Sequence, residues 1–262
     1  MPVVPREASS LILLREAPGA EGLEVLMVER HANSAFAGGV YVFPGGMVDE
    51  EDCDPDFARH CSGPSPQQAS DILGGSLPPQ RAFGFFIAAV RELFEEAGIL
   101  LAYEDTGEEQ GPAPRRQEVT GGRHGPDPGG RLDILRSRLR AEGISFHKLV
   151  EKERLRLALD RLIYFAHWVT PEIMPMRYDT RFFLAQAPPW QDPLRDEDET
   201  ASLLWIAPAL ALELCREGRF PLLPPTVANL WELSSYVTVN EALAAARKKK
   251  VVTVCPRFDA NV

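Results

Sequence analysis

The sequence predicts a mixed α/β domain that carries inserted helices. Short apolar runs typical of strands occur near the N-terminus and again after residue 163, and a strongly helical stretch lies between them. The chain has 262 residues, 45% of them hydrophobic and 25% charged, which is the balance of a soluble globular protein that buries a core without disulfide or metal staples. We expect a single domain over residues 1–262.

The predicted strands of the first part end at two glycines. These strands span residues 11–14, 23–30 and 40–43, and the second alternates well, with Leu23, Val25 and Met27 on one side. The third strand continues directly into Pro44-Gly45-Gly46. A proline followed by two glycines ends a strand and lets the backbone approach another group closely.

The middle of the chain predicts one long helix between two polar segments. Residues 83–97 have helical periodicity, and Gly98 is well placed to end the helix in a left-handed conformation. Residues 53–83 are rich in polar residues and read as an inserted surface excursion. Residues 104–130 are rich in Gly, Pro and charge and are expected to form a flexible loop.

The remaining elements alternate in type. We predict helices at 132–140, 147–160, 208–216, 226–235 and 240–246, and strands at 163–169, 181–184, 203–206 and 251–254. Pro208 suits the first turn of its helix, and Thr226 is expected to cap the next.

Charge and composition exclude several classes of protein. The net charge of −10 argues against non-specific binding to nucleic acid or to an anionic membrane surface. No apolar run approaches the roughly 20 residues of a membrane span. The four cysteines lack C-x-x-C spacing and are expected to be free thiols. Without a Ser-Lys-Leu terminus, a cytoplasmic protein is expected; whether it is a monomer or a homodimer stays open.

Three glutamates share one face of the predicted helix. Glu92, Glu95 and Glu96 are helical neighbours, and no lysine or arginine follows them at helical spacing. Their position in the last turn also opposes the helix dipole, which favours cations there. A solvated acidic face is one explanation. The other is a divalent cation such as magnesium, which takes hard oxygen ligands.

The surrounding residues favour the cation. Residues 91–99 resemble the second half of the Nudix box, R-E-U-x-E-E-x-G-U with U aliphatic, at every specified place, and Pro44-Gly45-Gly46 followed by acids resembles its first half. The resemblance implies a Nudix-like α/β/α sandwich with a mixed β-sheet, plus helical insertions. It also implies that Glu92, Glu95, Glu96 and the Gly46 backbone bind Mg²⁺ (or Mn²⁺).

The box is split in this chain. In the family the box runs glycine, five residues, glutamate, seven residues, arginine, whereas 38 residues (53–90) separate Asp52 from Arg91 here. The acid of the first half is Asp52 when counted from Gly46 and Glu51 when counted from Gly45. With its interrupted box, the chain resembles the Nudix subgroup whose animal members are peroxisomal coenzyme A diphosphatases. Segments 167–172, 177–184 and 222–226 also resemble that subgroup.

The resemblance implies hydrolysis of a nucleoside-diphosphate-linked small molecule. Coenzyme A or acyl-coenzyme A is the leading substrate; ADP-ribose or another nucleoside-diphosphate derivative, or a non-catalytic ligand-binding role, are the alternatives. Arg91 would orient the glutamates, among which Glu92 and Glu95 are the catalytic candidates, and the general base stays open. Further residues considered are Arg30, Arg177 and Arg181 for the substrate phosphates, Glu199 as an extra ligand, and His167 as a structural histidine.

Overall fold

The computed structural model describes residues 3–19, 22–31, 38–104, 118–119, 130–141, 143–194 and 200–256. Its strands are β1 (Arg6–Glu16), β2 (Leu23–Arg30), β3 (Tyr41–Val42), β4 (Gly45–Met47), β5 (Cys61–Ser62), β6 (Ala102–Glu104), β7 (Leu155–Ala158), β8 (Ile163–Val169), β9 (Tyr178–Gln186), β10 (Thr200–Ile206) and β11 (Thr253–Val254). Its α-helices are α1 (Pro66–Ile72), α2 (Pro79–Ala97), α3 (Arg131–Ala141), α4 (Phe146–Lys152), α5 (Pro208–Arg216), α6 (Pro224–Leu233) and α7 (Val239–Lys248). Short 3₁₀ helices span Glu51–Cys53, Pro55–His60 and Leu159–Arg161.

The main sheet is mixed, as the sequence predicts. Its strand order is β10-β2-β1-β9-β8-β11, and β3 and β4 pair with β2 and β1. The central pair β1 and β9 is parallel, whereas β2, β10, β4 and β8 join by antiparallel pairing. The register places Ser9 of β1 between Gly46 on one side and Arg181 on the other. Because Ser9 Oγ also bonds the backbone of Phe85 in α2, the end of β1 that pairs with β4 lies against this helix.

Helix α2 is buried between the main sheet and a second, three-stranded sheet. One apolar core joins Leu11, Leu13 and Phe183 of the main sheet to α2 and to Leu155 and Leu157 of the second sheet, whose order is β5-β7-β6. Phe86 and Phe183 contact each other across this core at 4.5 Å between ring centroids. Because α2 is covered on both sides, most of its side chains are buried rather than one arc alone.

The opposite face of the main sheet is covered by the last three helices. A second core packs Ile12, Leu14 and Phe182 of the sheet against Leu230 of α6 and Ala242 of α7. Helix α7 begins with a capping box formed by Thr238 and Glu241. Helices on both faces of a mixed sheet make the α/β/α sandwich that was expected.

The insertion is part of the core, so its interpretation as a surface excursion is wrong. Residues 53–83 contribute Phe57, Leu73 and Phe83 to the core around α2, and β5 pairs in parallel with β7. Helix α1 is fixed by a Ser65–Gln68 capping box with Pro66 at its first position. The prediction failed because the apolar residues of this segment are sparse in sequence and converge only in three dimensions.

The predicted helix at 147–160 is also wrong in its second half. Helix α4 ends at Lys152, Arg154 takes a left-handed φ of 51°, and residues 155–158 form β7. Leu157 of β7 pairs with Cys61 on one side and Ala102 on the other. These partners, remote in sequence, override a local pattern that also fits a helix.

Three smaller expectations change. Thr226 lies inside the first turn of α6, whose N-cap is Leu223, and therefore does not cap it. The predicted strand at 251–254 is confined to Thr253–Val254. Most of the predicted loop at 104–130 lies outside the described residues, yet within it Glu118 bridges Tyr103 and Val119 is buried.

Two further observations concern the chain as a whole. All four cysteines are free thiols, as expected. Among the residues that the structure describes, no helix combines the length and the apolar character that crossing a membrane requires.

The burial of the insertion predicts a stability difference between two of its side chains. Phe57 is 1% exposed and stacks on His147 at 4.3 Å, whereas Ile72 is 45% exposed. We expect Phe57→Ala to lower the free energy of unfolding by about 3–5 kcal/mol and Ile72→Ala by less than about 1 kcal/mol. Urea titration followed by circular dichroism measures both values; equal, small effects would contradict a core role for the insertion.

Candidate active site

The glutamate helix ends where the sequence predicts. Gly98 adopts a left-handed conformation with φ of 67°, and its amide donates to the carbonyl oxygen of Phe94 at 2.9 Å. Near its middle, Ser9 Oγ donates to the carbonyl oxygen of Phe85 at 2.7 Å. The helix is thereby tied to β1, and its C-terminal turns carry Glu92, Glu95 and Glu96 next to β4.

Arg91 is the centre of an ionic network. Its guanidinium is nearly buried and donates through Nε and Nη2 to the two carboxylate oxygens of Asp52, both at 2.9 Å. Nη1 donates to Glu92 Oε1 at 2.9 Å and to Glu95 Oε2 at 3.0 Å. Nη2 also donates to the carbonyl oxygen of Met47 at 2.9 Å. One arginine therefore orients two of the three glutamates and ties them to β4.

Asp52, and not Glu51, is the acid of the first half-box that meets Arg91. Its side chain is buried, and Oδ2 also accepts from the amide of Asp49 at 2.8 Å. Glu51 precedes it in the same 3₁₀ turn and is exposed. Burial raises the pKa of Asp52, while the bonds from Arg91 lower it, and burial has the larger effect.

The two glycines are required by close approach to neighbouring groups. A Cβ atom on Gly46 would overlap the carboxylate of Glu92, and one on Gly45 would overlap the backbone of Ser9, in both cases inside the 3.0 Å that real Cβ contacts essentially never breach. The amide of Gly45 donates to Glu96 Oε2 at 3.0 Å. The strand β4 thus lies directly against the glutamate face.

The pKa of the Glu92 carboxyl is shifted upward by its surroundings. Its pKa is raised to about 7, mainly by burial and also by the charges of Glu95 and Asp52, against the lowering effect of Arg91. Near neutral pH this carboxyl holds its proton part of the time. A cation at this face would relieve the crowding of negative charge.

The glutamates have suitable ligand atoms for a metal ion, but their carboxylates do not converge on a common position. Within the described ranges, no three acidic, histidine or cysteine side chains converge to hold an ion. Glu92 and Glu95 point to Arg91, and Glu96 points to the Gly45 amide. Carboxylates on one helix face are the hard oxygen donors that Mg²⁺ prefers, so the residues fit such a cation once their side chains turn toward it.

Two arginines of a different helix, α3, meet the C-terminal end of α2, and sequence reasoning did not associate them with this site. Arg140 Nη2 donates to the carbonyl oxygen of Glu95 at 3.2 Å. Arg136 Nη1 donates to the carbonyl oxygen of Leu194 at 2.6 Å and lies against Gly98. Arg136 and Arg140 are four residues apart, so they share one face of α3. That spacing is the signal the sequence offered, but it does not reveal which helix end the two arginines meet.

Two of the arginines predicted to bind phosphates are engaged elsewhere. Arg177 donates to the carbonyl oxygens of Thr170 and Val3 at 3.0 and 2.6 Å. Arg181 is 3% exposed, pairs with Asp179 at 3.0 Å and stacks over the ring of Phe85 at 4.2 Å. Both side chains are buried, and these contacts do not bring either of them to the glutamate face.

Arg30, His167 and Glu199 are the other residues that the sequence singles out. Arg30 ends β2, opposite Thr200 of β10. His167 bonds Asp179 through Nε2 at 2.5 Å and Thr253 through Nδ1 at 2.8 Å, in the same network as Arg181. Glu199 is outside the described residues.

Removing Asp52 tests the network directly. Asp52→Ala would leave the guanidinium of Arg91 buried without its bidentate partner, and we expect the free energy of unfolding to fall by about 3–5 kcal/mol. Glu51→Ala, which removes the adjacent exposed acid, is the matched control and should change it by less than about 0.5 kcal/mol. Similar losses in the two variants would show that the ion pair does not stabilise the fold.

The raised pKa of Glu92 predicts a pH dependence of stability in metal-free protein. Between about 4.5 and about 7 the folded state holds a proton that the unfolded state releases, so the stability contributed by this group falls as pH rises through that window. Between pH 5 and pH 8 the free energy of unfolding of the wild type should fall by about 3 kcal/mol relative to that of Glu92→Gln. Chemical unfolding at pH 5 and pH 8 measures these free energies. Glu51→Gln should follow the wild type at both pH values. A wild type that becomes more stable relative to Glu92→Gln at pH 8 than at pH 5 would contradict the assignment.

Comparisons with known proteins identify the family of the chain. The family model described as the NUDT19 Nudix domain matches residues 5–233. The chain is 29% identical to the acyl-coenzyme A diphosphatase NUDT19 of Gallus gallus over 90% of the chain and 70% of that protein, and 30% identical to its Homo sapiens counterpart over 86% and 64%. The chain thus spans about two thirds of these relatives.

The fold has a solved counterpart. The crystal structure of a Nudix hydrolase from Alicyclobacillus acidocaldarius has a TM-score of 0.73 and 24% identity, covering 92% of this chain and 96% of that one. The family model spans most of the chain. The protein therefore belongs to the NUDT19 Nudix domain family and is a Nudix hydrolase.

Proposed function

We propose that this protein hydrolyses the diphosphate bond of coenzyme A or an acyl-coenzyme A. The products are 4′-phosphopantetheine, or its acyl derivative, and adenosine 3′,5′-bisphosphate. The names of the NUDT19 relatives support the substrate. The observation that carries the reaction is the network in which Arg91 holds Glu92 and Glu95 beside the Gly45-Gly46 strand. In this proposal the chain acts as one domain on a small nucleotide-derived molecule.

Glu92, Glu95 and Glu96, with the backbone carbonyl of Gly46, are the groups that would hold Mg²⁺ or Mn²⁺. When bound, such a cation neutralises phosphate charge and lowers the pKa of coordinated water. The glutamates also provide the general base, since a carboxylate near the attacking water accepts its proton. Arg91 acts through them, as a positioning residue that fixes the two carboxylates by charge-assisted bonds.

The reaction itself demands little covalent chemistry of the protein. Water adds to one phosphorus, the bond from that phosphorus to the bridging oxygen breaks, and the other phosphate leaves with that oxygen. Each product then carries a phosphomonoester, and the proton lost by the water passes to a carboxylate. Catalysis rests on positioning and on charge neutralisation, and a helix buried between two sheets gives the carboxylates a fixed backbone.

The substrate is tested by a direct comparison. Coenzyme A, ADP-ribose and diadenosine polyphosphates are incubated with the protein and Mg²⁺, and the products are separated by chromatography. We expect preferred release of adenosine 3′,5′-bisphosphate from coenzyme A and loss of turnover when the cation is chelated. Preference for ADP-ribose would overturn the substrate; turnover that survives chelation would overturn the cation.

The glutamate assignment predicts large losses of activity. Glu95→Gln and Glu96→Gln each keep the shape of the side chain but remove a charged ligand, and we expect kcat to fall at least about 100-fold. Glu51→Gln, an exposed acid nearby, serves as the control and should retain full turnover. Retention of full turnover by either Glu95→Gln or Glu96→Gln would refute the metal assignment.

A further inference from the structure

The amide of Gly45 is a backbone group that holds one of the site glutamates. It donates to Glu96 Oε2 at 3.0 Å. This amide belongs to the planar peptide unit that joins Pro44 to Gly45, and in a trans peptide the carbonyl group points away from the N–H. The groups that bind the Pro44 carbonyl therefore set the direction in which the Gly45 amide meets Glu96.

Two donors from strand β1 bind the Pro44 carbonyl. The amide of Leu11 donates to it at 2.9 Å, and Ser10 Oγ donates to it at 3.0 Å. Ser10 is 6% exposed and lies opposite Gly45 in the ladder of β1 and β4, and Pro44 is buried as well. A carbonyl oxygen has two lone pairs, so these two donors match its capacity.

The bonds form a series from a serine hydroxyl to a carboxylate. The Ser10 hydroxyl bonds the Pro44 carbonyl, and the N–H of the same peptide bonds Glu96. Hydrogen bonds in series polarise one another, so the serine makes the Gly45 amide a better donor. A carboxylate has about four lone-pair sites on its two oxygens, so the bond from Gly45 is compatible with ligation of a cation by Glu96.

Two other buried serines bond backbone carbonyls in different places. Ser9 Oγ donates to the carbonyl oxygen of Phe85 inside helix α2. Ser70 Oγ donates to the carbonyl oxygen of Leu77 at 2.7 Å, within the insertion, and Ser70 is 3% exposed. Leu77 precedes a proline, so its peptide has no N–H. Of these three serines, Ser10 is the one bonded to the peptide that holds a site glutamate.

We propose that Ser10 is a positioning residue for the metal site, because its hydroxyl directs, through the Pro44–Gly45 peptide, the amide that holds Glu96. This inference rests on the proposed function, in which Glu96 binds the cation. A hydroxyl that only fastens β4 to β1 would stabilise the fold without changing the affinity for a cation. Measuring affinity and stability in the same variants separates the two roles.

The first experiment is a calorimetric titration with Mn²⁺ in the absence of substrate. We expect Ser10→Ala to bind Mn²⁺ about 10-fold or more weakly than the wild type, which is the loss typical when a group that orients a metal ligand is removed. Ser70→Ala is the matched control, since it removes a buried hydroxyl with the same kind of bond inside the insertion. It should bind Mn²⁺ like the wild type, even where chemical unfolding shows that both variants are less stable. Wild-type affinity in Ser10→Ala would overturn the proposal.

Two further variants separate the hydroxyl from the packing at this position. Ser10→Thr and Ser10→Val introduce side chains of the same shape, and only the first keeps a hydroxyl. We expect Ser10→Thr to bind Mn²⁺ much more tightly than Ser10→Val; equal affinities would contradict the role of the hydroxyl. In a Glu96→Gln background, Ser10→Ala should weaken Mn²⁺ binding much less than in the wild type, because both changes act on one ligand. A full additional loss would show that Ser10 does not act through Glu96.

Coenzyme A hydrolysis separates this inference from the proposed function. We expect Ser10→Ala to need about 10-fold more Mg²⁺ for half-maximal hydrolysis, with a smaller change in kcat at saturating Mg²⁺. A wild type that binds Mn²⁺ but does not hydrolyse coenzyme A would refute the proposed function, and the Mn²⁺ affinities of the variants would still decide the role of Ser10. Hydrolysis by the wild type with unchanged Mn²⁺ affinity in Ser10→Ala would refute the inference alone. A wild type that binds no Mn²⁺ would overturn both the metal assignment and the role of Ser10.

Discussion

The bidentate ion pair between Arg91 and Asp52 is the interaction on which the site depends. A buried guanidinium is stable only when its N–H donors are paired. Asp52, which is far away in sequence, accepts hydrogen bonds from two of the Arg91 nitrogens. The remaining donors hold Glu92, Glu95 and the carbonyl of Met47. The need to satisfy one buried cation therefore sets the positions of the carboxylates and of β4 together.

This arrangement requires a helix that does not move. Most side chains of helix α2 are buried, so one sheet alone would leave part of its apolar surface exposed to water. The second sheet and α1 cover that part, and the insertion contributes both β5 and Phe57 to the cover. The added segment thus supports the functional helix from behind, while β4 and the Ser9 contact fix it from the front.

Features that depend on neighbouring residues could be predicted from the sequence, whereas features that depend on contacts between distant residues could not. The helix predicted at 83–97, its end at Gly98 and its acidic face follow from spacing within a few residues. The structure contains all three, although the helix begins at Pro79. Strand β7 was mistaken for helix because its identity depends on Cys61 and Ala102, which are distant partners. The choice between Glu51 and Asp52 depended on which way a 3₁₀ turn faces, and the contact of Arg140 with α2 on how two helices pack. None of these is encoded locally.

The longer chain between the two half-boxes has a small cost in free energy. Closing a loop of 38 residues in place of seven costs only about 1.5 kcal/mol more chain entropy, because the penalty grows with the logarithm of length. Burial of an aromatic side chain such as Phe57 offsets an amount of that order. The number of residues between the two half-boxes can therefore change by insertion at a small cost in free energy. The distance in space between the acid and the arginine cannot change in this way, because it is fixed by their hydrogen bonds.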